Sequence, residues 1–523
     1  MEFDQAGKSA GMNAPGSAEP ERFRDWIAQR LGLNFDDAKL GFLADVLGRR
    51  ADQSGLARHI YLGRLEGGGV DTELQALAIE LTVPETYFLR HIDQFRAFSE
   101  VALPDALAAR APVRTLNVLS AGCASGEEPF SLAILVRERA LDPGWKVTIR
   151  AVDINPAMLA KAARGCYSAW SLREAPADVQ QRWFRSVGRE FMLDESIRAA
   201  VSFQEINLAR ENTELWTPAF YDVIFCRNVL MYFTPEVAQA LVARFTRSLA
   251  PGGYLFLGHA ETLRGLSNAY HLRHTHGTFY YQRKGTKEEE RRGQFVEQFN
   301  GALRETPIAP AHPDSTWAKT WLETVQRASD RIQALTERPT AEYVRQGVRS
   351  PSRAPQVASQ LPLVLELLKQ ERFSDALDLL GHLPPESALD PDIMLLRAAL
   401  LTHSGQLSAA ESASMQLLEN DELNTGAHYL LALCRESAGD SQGALEHDRA
   451  AVYLDPSFAM PRLHLGLMAR RAGDAEAARR ELGQALVLLK REDTSRLLLF
   501  GGGFGRDALI ALCLAELKSG GHP

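Results

Sequence analysis

A strand that breaks at a tight glycine turn and restarts as a helix headed by two carboxylates constrains this chain more than any other feature. The stretch is Asn117-Val-Leu-Ser-Ala-Gly-Cys-Ala-Ser-Gly-Glu-Glu-Pro129, and an apolar helix pattern follows from Phe130 to Val136. A second apolar run, Val147-Thr-Ile-Arg-Ala-Val-Asp153, ends in an acid. Strand, turn, helix and acid-tipped strand in that order predict a nucleoside-binding α/β unit. Gly122 and Gly126 then let the backbone approach a ligand, and Asp153 accepts hydrogen bonds from ribose hydroxyls. The turn lacks the G-x-G-x-x-G pattern and no lysine follows it, unlike the dinucleotide and phosphate-cradling loops. Two carboxylates would repel a pyrophosphate. They suit a nucleoside bearing positive charge, and S-adenosylmethionine, with its sulfonium and ammonium groups, meets all these conditions.

Three further segments point to the same site. Phe220 to Phe233 reads as a buried strand whose carboxyl end carries Arg227, Asn228 and Tyr232. Ligands of open α/β sheets bind beyond the carboxyl ends of the strands, so these side chains are expected in the pocket. Glu205-Ile-Asn-Leu208 ends a shorter strand and offers adenine a polar edge and an apolar contact. Val83-Pro-Glu-Thr-Tyr-Phe-Leu-Arg90 sets a hydroxyl and a guanidinium beside two aromatics.

Together these motifs resemble the CheR-type chemoreceptor glutamate methyltransferases. The residues that carry the resemblance are Thr86, Phe88 and Arg90, the run Ala121 to Pro129, Asp153-Ile154, Asn207-Leu208, Cys226 to Phe233, and Gly252-Gly253 with Leu255-Phe-Leu-Gly-His-Ala-Glu261. They span about residues 20 to 285. The resemblance implies a Rossmann-like α/β methyltransferase domain with an N-terminal helical module and a small antiparallel insertion between Lys161 and Gln204. It implies that Glu128 holds the amino-acid part of S-adenosylmethionine and Asp153 the ribose. Asn207 and Leu208 border the adenine, Arg227 and Asn228 complete the pocket, Thr86 and Arg90 close it, and Arg90 and Tyr232 flank the transferred methyl. S-adenosylhomocysteine is the expected product, and a chemoreceptor or receptor-like cytoplasmic domain the expected protein substrate. Each residue also has a structural alternative: Glu128 as a helix cap, Arg227 paired with Asp222, Tyr232 as a core tyrosine. The competing function is a non-catalytic S-adenosylmethionine-sensing adaptor, against which the retention of Arg90, Glu128, Asp153, Asn228 and Tyr232 argues.

Two departures from the family pattern bear on substrate choice. The second helix of the N-terminal module, dense in arginines in the family, keeps Lys39, Arg49 and Arg50 here but interleaves Asp45, Gly48 and Asp52. Ser186-Val-Gly-Arg-Glu190 is shorter than the loop with which some relatives bind a receptor's C-terminal peptide. Recruitment is therefore expected of another part of the chain.

That part repeats. Gly405, Gly439 and Gly473 recur every 34 positions, as do Ala376, Ala410, Ala444 and Ala478, with Leu395, Tyr429 and Leu463 in the same register. A 34-residue period with small residues at the helix contact is the signature of tetratricopeptide repeats, an all-α stack that binds a peptide or protein ligand in its concave groove. Three repeats are clear, and a degenerate one runs from about Pro362 to Leu389. The glycine-rich run Leu497 to Arg506 reads as a turn into a capping helix, Ala508 to Leu517, because no βαβ pattern surrounds it.

The expected organisation is a disordered tail over 1–20, a helical module over 21–110, a methyltransferase domain over 111–285, a linker over 286–360 and repeats over 361–523. One amphipathic stretch, Trp317 to Leu335, interrupts the linker as a lone packed helix. Among 523 residues no apolar run approaches the ~20 needed to span a bilayer, and the N-terminus lacks the basic and apolar regions of a signal peptide, so membrane insertion is not expected. Five scattered cysteines without C-x-x-C spacing imply a reducing compartment and no metal site. A formal charge of −8 disfavours general nucleic-acid binding. The expected location is the cytoplasm.

Overall fold

The computed structural model describes residues 18–68, 71–139, 141–285 and 355–519. Most of the expected tail, the linker as far as residue 354 and the Trp317 to Leu335 stretch lie outside the described residues. The first helix, Ala18–Leu31, begins inside the range assigned to the tail, and the helix Pro355–Lys369 begins inside the linker range. The chain divides into two compact units, one carrying the sheet and the helices before it, the other the C-terminal helices.

Ten strands organise the first unit: β1 Thr115–Ala121, β2 Lys146–Asp153, β3 Cys166–Ser168, β4 Phe184–Val187, β5 Glu190–Leu193, β6 Val201–Glu205, β7 Tyr221–Cys226, β8 Leu249–Leu257, β9 Tyr270–Thr275 and β10 Thr278–Arg283. Seven form one sheet in the order β6-β2-β1-β7-β8-β10-β9. β6, β2, β1, β7 and β8 run parallel, whereas β10 is antiparallel to both its neighbours. All six residues of β7 are buried, including Asp222. A strand covered on both faces reads as a continuous apolar run without alternation. Asp222 is tolerated there because Arg110 Nε reaches it at 2.5 Å and the Asn117 amide donates to it at 2.9 Å. This pairing removes the alternative in which Asp222 holds Arg227. The remaining strands form the antiparallel insertion, ordered β3-β5-β4. Its β4–β5 hairpin turns through Gly188 and Arg189, with Gly188 at φ +64°, so the loop is as short as the sequence implied.

The helices before the sheet divide between two cores. Phe23, Trp26, Leu43, Tyr61, Leu77 and Leu81 belong to one core, and Phe88, Phe95, Phe98 and Leu103 pack with the sheet. The rings of Phe95 and Phe98 both lie 5.7 Å from that of Phe225 in β7.

In the second unit the repeat register is exact to the residue at the helix starts. Pro391–His403, Thr425–Ser437 and Ala459–Arg471 are first helices; Leu407–Asn420, Ser441–Leu454 and Ala475–Leu489 are their partners. Gly405, Gly439 and Gly473 turn between them at φ +74°, +84° and +80°. The degenerate repeat is the pair Pro355–Lys369 and Phe373–Gly381, where Glu371 adopts φ +58° at the position of those glycines. Ala376, Ala410, Ala444 and Ala478 are buried where the paired helices meet. The expected capping helix is Arg506–Ser519, packed on Ala475–Leu489 through the buried Leu509 and Cys513. Between them lies a helix the periodicity did not anticipate, Thr494–Phe500. Among the described residues no helix is long and apolar enough to cross a membrane, and no cluster of side chains is suited to a metal ion.

Candidate functional site

The strand order reverses between β1 and β7, with β2 and β6 on one side and β8 on the other. A crevice opens at such a switch point because the crossovers leave in opposite directions. Here it is a cavity of about 290 Å³. Thr86, Arg90, Gly122, Glu128, Asp153, Asn207, Leu208, Arg227, Asn228 and Tyr232 all line it. Gly126 does not. Its φ is +91°, and a Cβ there would lie 2.8 Å from Ala162 Cβ and 3.1 Å from Phe130, so this glycine serves the turn and the packing of its helix. Gly122, at φ +80°, does border the cavity, and a Cβ there would strike Val229 at 2.4 Å.

The two carboxylates at the head of the helix Glu127–Glu138 have different surroundings. Glu127 is buried, and accepts from Ser125 Oγ at 2.7 Å and from Ser171 Oγ at 3.2 Å. Burial raises its pKa, and the two hydroxyls oppose the rise. Only Glu128 borders the cavity, so the charge offered to a ligand is that of one acid, not the expected pair. Glu128 Oε1 accepts from Ser120 Oγ at 2.7 Å, and Oε2 lies 3.6 Å from Arg227 Nη1. It does not cap its helix, whose N-cap Gly126 has no side-chain bond. Asp153 is pinned at the tip of β2. Its Oδ2 accepts from the Ala124 amide and its Oδ1 from the Asn155 amide, both at 2.8 Å. Burial raises the Asp153 pKa against the pull of these amides, and burial raises that of Glu128 against the attraction of Arg227.

Arg227 is buried in the cavity wall, and its pKa is lowered by burial against the attraction of Glu128. It donates through Nη2 to the Arg90 carbonyl, while its Nε and Nη1, like the Nε of Arg90, are buried without a hydrogen-bond partner. Buried guanidinium donors without acceptors are costly, and an acceptor brought by a ligand would relieve the cost. A carboxylate such as the one on S-adenosylmethionine fits this donor set, Glu128 fits its ammonium group, and Asp153 keeps lone pairs free for hydroxyls. The loop that carries Thr86 and Arg90 is fastened from beneath. The Phe88 amide donates to Ser171 O at 2.9 Å, the Leu89 amide to Ser131 Oγ at 3.0 Å, and the Phe88 ring sits edge-on to Tyr167 and Phe184. These contacts hold Leu89 and His91 at φ +57° and +58°, a conformation that side chains other than glycine adopt at a cost.

The loop after β7 is organised by a residue noted in the sequence only as part of a motif. Glu261 is buried, and its carboxylate accepts from the amides of Asn228 (2.7 Å), Val229 (2.8 Å), Met231 (3.2 Å) and Gly258 (2.7 Å). One acid thereby holds Asn228 at φ +58° and sets the turn that presents Tyr232. Tyr232 is 38% exposed, so it is no core tyrosine. The N-terminal module pins its other side: the Asn34 amide donates to Tyr232 O at 2.8 Å, the Thr234 amide to Gly32 O at 2.9 Å, and Leu31 and Leu33 join the cavity wall. Asn207 donates through Nδ2 to Arg30 O at 3.1 Å. Leu31, Leu33, Ser120 and Asn155 went unnoticed in the sequence because each looks like an ordinary strand, helix-end or cap residue. Cys123 and Cys226 are buried, and burial raises both thiols well above their usual range, which suits packing and not nucleophilic attack.

Comparison with known proteins agrees with this geometry. The family profile described as CheR methyltransferase, SAM binding domain, matches residues 84–279. Chemotaxis protein methyltransferase 2 of Vibrio cholerae is 36% identical over 287 residues, covering 52% of this chain and 96% of that protein. The probable biofilm formation methyltransferase WspC of Pseudomonas putida is 27% identical over 462 residues, 88% of this chain and 96% of that one. Among solved structures, a thermophilic TPR protein of Thermus thermophilus covers 31% of this chain and 90% of its own, at 21% identity and a TM-score of 0.25. With the switch-point cavity, its acid-tipped strand and a relative matched over nearly its whole length, this chain belongs to the CheR family of S-adenosylmethionine-dependent methyltransferases.

Proposed function

We propose that this protein transfers a methyl group from S-adenosylmethionine to glutamate side chains of a chemoreceptor or receptor-like cytoplasmic domain, working in the cytoplasm and leaving S-adenosylhomocysteine. The observation that carries the reading is the convergence of Glu128, Asp153, Arg90, Arg227 and Tyr232 on one cavity, with buried guanidinium donors that lack acceptors. S-adenosylmethionine, when bound, supplies a methyl group on an electron-poor sulfur. Asp153 takes the ribose hydroxyls, Glu128 the amino group, and Asn207 and Leu208 flank the adenine. Arg227 and Asn228 close the inner wall, and Thr86 closes the outer one.

A glutamate side chain, with a reference pKa of about 4.3, is ionised at neutral pH and needs no general base. The task left to the protein is alignment and exclusion of water around the attacking oxygen. Arg90 supplies a planar fork to orient a carboxylate. Tyr232 offers a hydroxyl beside the line of transfer. Neither forms a covalent bond.

Receptor choice rests on surfaces away from the cavity. Arg49 is engaged by Glu80 at 2.8 Å and Arg50 by Glu73 at 2.7 Å, so the two arginines retained in the second helix are committed within the module. The repeats, which carry a protein-binding architecture, take over recruitment.

Tyr232→Phe should leave S-adenosylhomocysteine affinity within about twofold while lowering kcat about tenfold, since its hydroxyl acts in the transition state. Arg90→Lys should lose activity too, because a point charge does not reproduce the fork. Calorimetry with single-turnover kinetics separates the two effects. Wild-type turnover in both variants would remove these residues from the transfer step.

A further inference from the structure

The helix Thr494–Phe500 packs on the first helices of the repeats, the elements that line the groove of such a stack. Leu497, Leu499 and Phe500 are all buried. The Phe500 ring lies 5.9 Å from that of Tyr429 and 5.1 Å from that of Phe458, directly over Gly426. A Cβ at Gly426 would lie 2.8 Å from Phe500 Cζ and 3.0 Å from Leu395, so the glycine makes the space that the ring fills. The backbone is held as well: His403 Nε2–H donates to Leu499 O at 2.8 Å, and the Tyr429 hydroxyl to Phe500 O at 3.4 Å. His403, Tyr429 and Phe458 come from three successive repeats. Side chains inserted between first helices, with main-chain carbonyls held by groove side chains, are how such a groove would take a peptide.

Leu497, Leu499 and Phe500 belong to the core of this unit, and Arg496 pairs with Asp455 at 3.1 Å, yet two features mark the segment as releasable. It is seven residues long, well below the ~12–15 at which an isolated helix becomes even marginally stable in water, so it persists only while the groove holds it. It ends in Gly501-Gly502-Gly503, with Gly502 at φ +64° and Gly503 at φ +83°, a run that swings freely once released.

We infer that Thr494–Phe500 is a built-in occupant of the repeat groove, and that the groove's partner is a short peptide segment of the same chemistry: an acidic or hydroxyl N-cap followed by a leucine-rich turn ending in an aromatic ring. The partner binds by displacing the strap, so recruitment depends on strap release. This rests on the reading that the repeats recruit a protein, and both readouts below are independent of methyl transfer.

The test uses the full chain and a labelled peptide of residues 491–504. Leu497→Ala with Phe500→Ala, which loosens the strap without touching the groove wall, should bind the peptide at least tenfold more tightly than wild type. In the unaltered chain, hydrogen exchange at 495–500 should run at least tenfold faster than in the surrounding helix Thr425–Ser437, and excess peptide should not slow exchange in the displaced strap. Equal peptide affinity in both proteins, or strap exchange as slow as that of the helix, would overturn the proposal. The exchange arm needs no variant, so a misfolded double mutant does not leave the question open. If the strap opens and takes the peptide in trans but deletion of the repeats leaves receptor methylation unchanged at every receptor concentration, the recruitment reading fails while strap release stands.

Discussion

Glu261→Ala is expected to abolish measurable S-adenosylhomocysteine binding and to lower the stability of the first unit by about 3 kcal/mol or more. Four backbone amides converge on this carboxylate, those of Asn228, Val229, Met231 and Gly258, at 2.7 to 3.2 Å. A buried donor left without a partner costs about 1–3 kcal/mol, and partial relaxation or water entry recovers only some of that. The same four bonds set the turn from which Asn228 and Tyr232 reach the cavity, so stability and binding fall together. Glu261→Gln is a sharper variant, because it keeps the shape and one acceptor oxygen but brings an NH2 group against amides that also donate. It should be intermediate in thermal unfolding. A wild-type melting temperature for the alanine variant would show that other groups organise this turn.

Asp153→Ala should weaken S-adenosylhomocysteine binding about tenfold to a hundredfold, the equivalent of about 1.5–3 kcal/mol for hydrogen bonds to a charged group. The carboxylate already accepts the Ala124 and Asn155 amides, which hold its oxygens in place for hydroxyls. Asp153→Asn keeps an acceptor but lacks the charge, and should fall between wild type and alanine. The raised Asp153 pKa adds a sign: protonation removes the charge and turns one acceptor oxygen into a donor, so affinity should begin to fall on acidification at a higher pH than an ordinary aspartate would give. Calorimetry between neutral and mildly acidic pH measures both effects. Affinity unchanged in Asp153→Ala would reject the ribose assignment.

Much of the architecture was legible because it rests on local rules. The glycine turn, the acid closing β2 and the apolar run of β7 place their residues at strand ends whatever the rest of the chain does. The 34-residue register of Gly405, Gly439 and Gly473 was legible because a repeat must recur to stack, and those glycines turn between the paired helices. Three things were not legible, each because it depends on long-range packing. The pair Glu127 and Glu128 looked equivalent, and the hydroxyls of Ser125 in the turn and of Ser171 from the insertion distinguish the buried acid from the one at the cavity. Gly126 looked like a ligand-facing glycine, yet its missing Cβ is required by Ala162 and Phe203 on neighbouring elements. Glu261 stood in a recognised motif without an assigned role, because three of its four amide partners lie about thirty residues earlier in the chain. The run Leu497 to Arg506 reads as a turn, but its first four residues close the helix Thr494–Phe500, and nothing local says that they fill a groove made by other repeats.

Glutamate methylation is tested most directly by transfer of tritiated methyl from S-adenosylmethionine to candidate receptor cytoplasmic domains by the full-length protein. Label is expected on the receptor, released as methanol in mild base, mapping to glutamate, and lost with Asp153→Ala at limiting cofactor. Binding of S-adenosylmethionine without base-labile label on any receptor-like domain, or label that is stable to base, would contradict it.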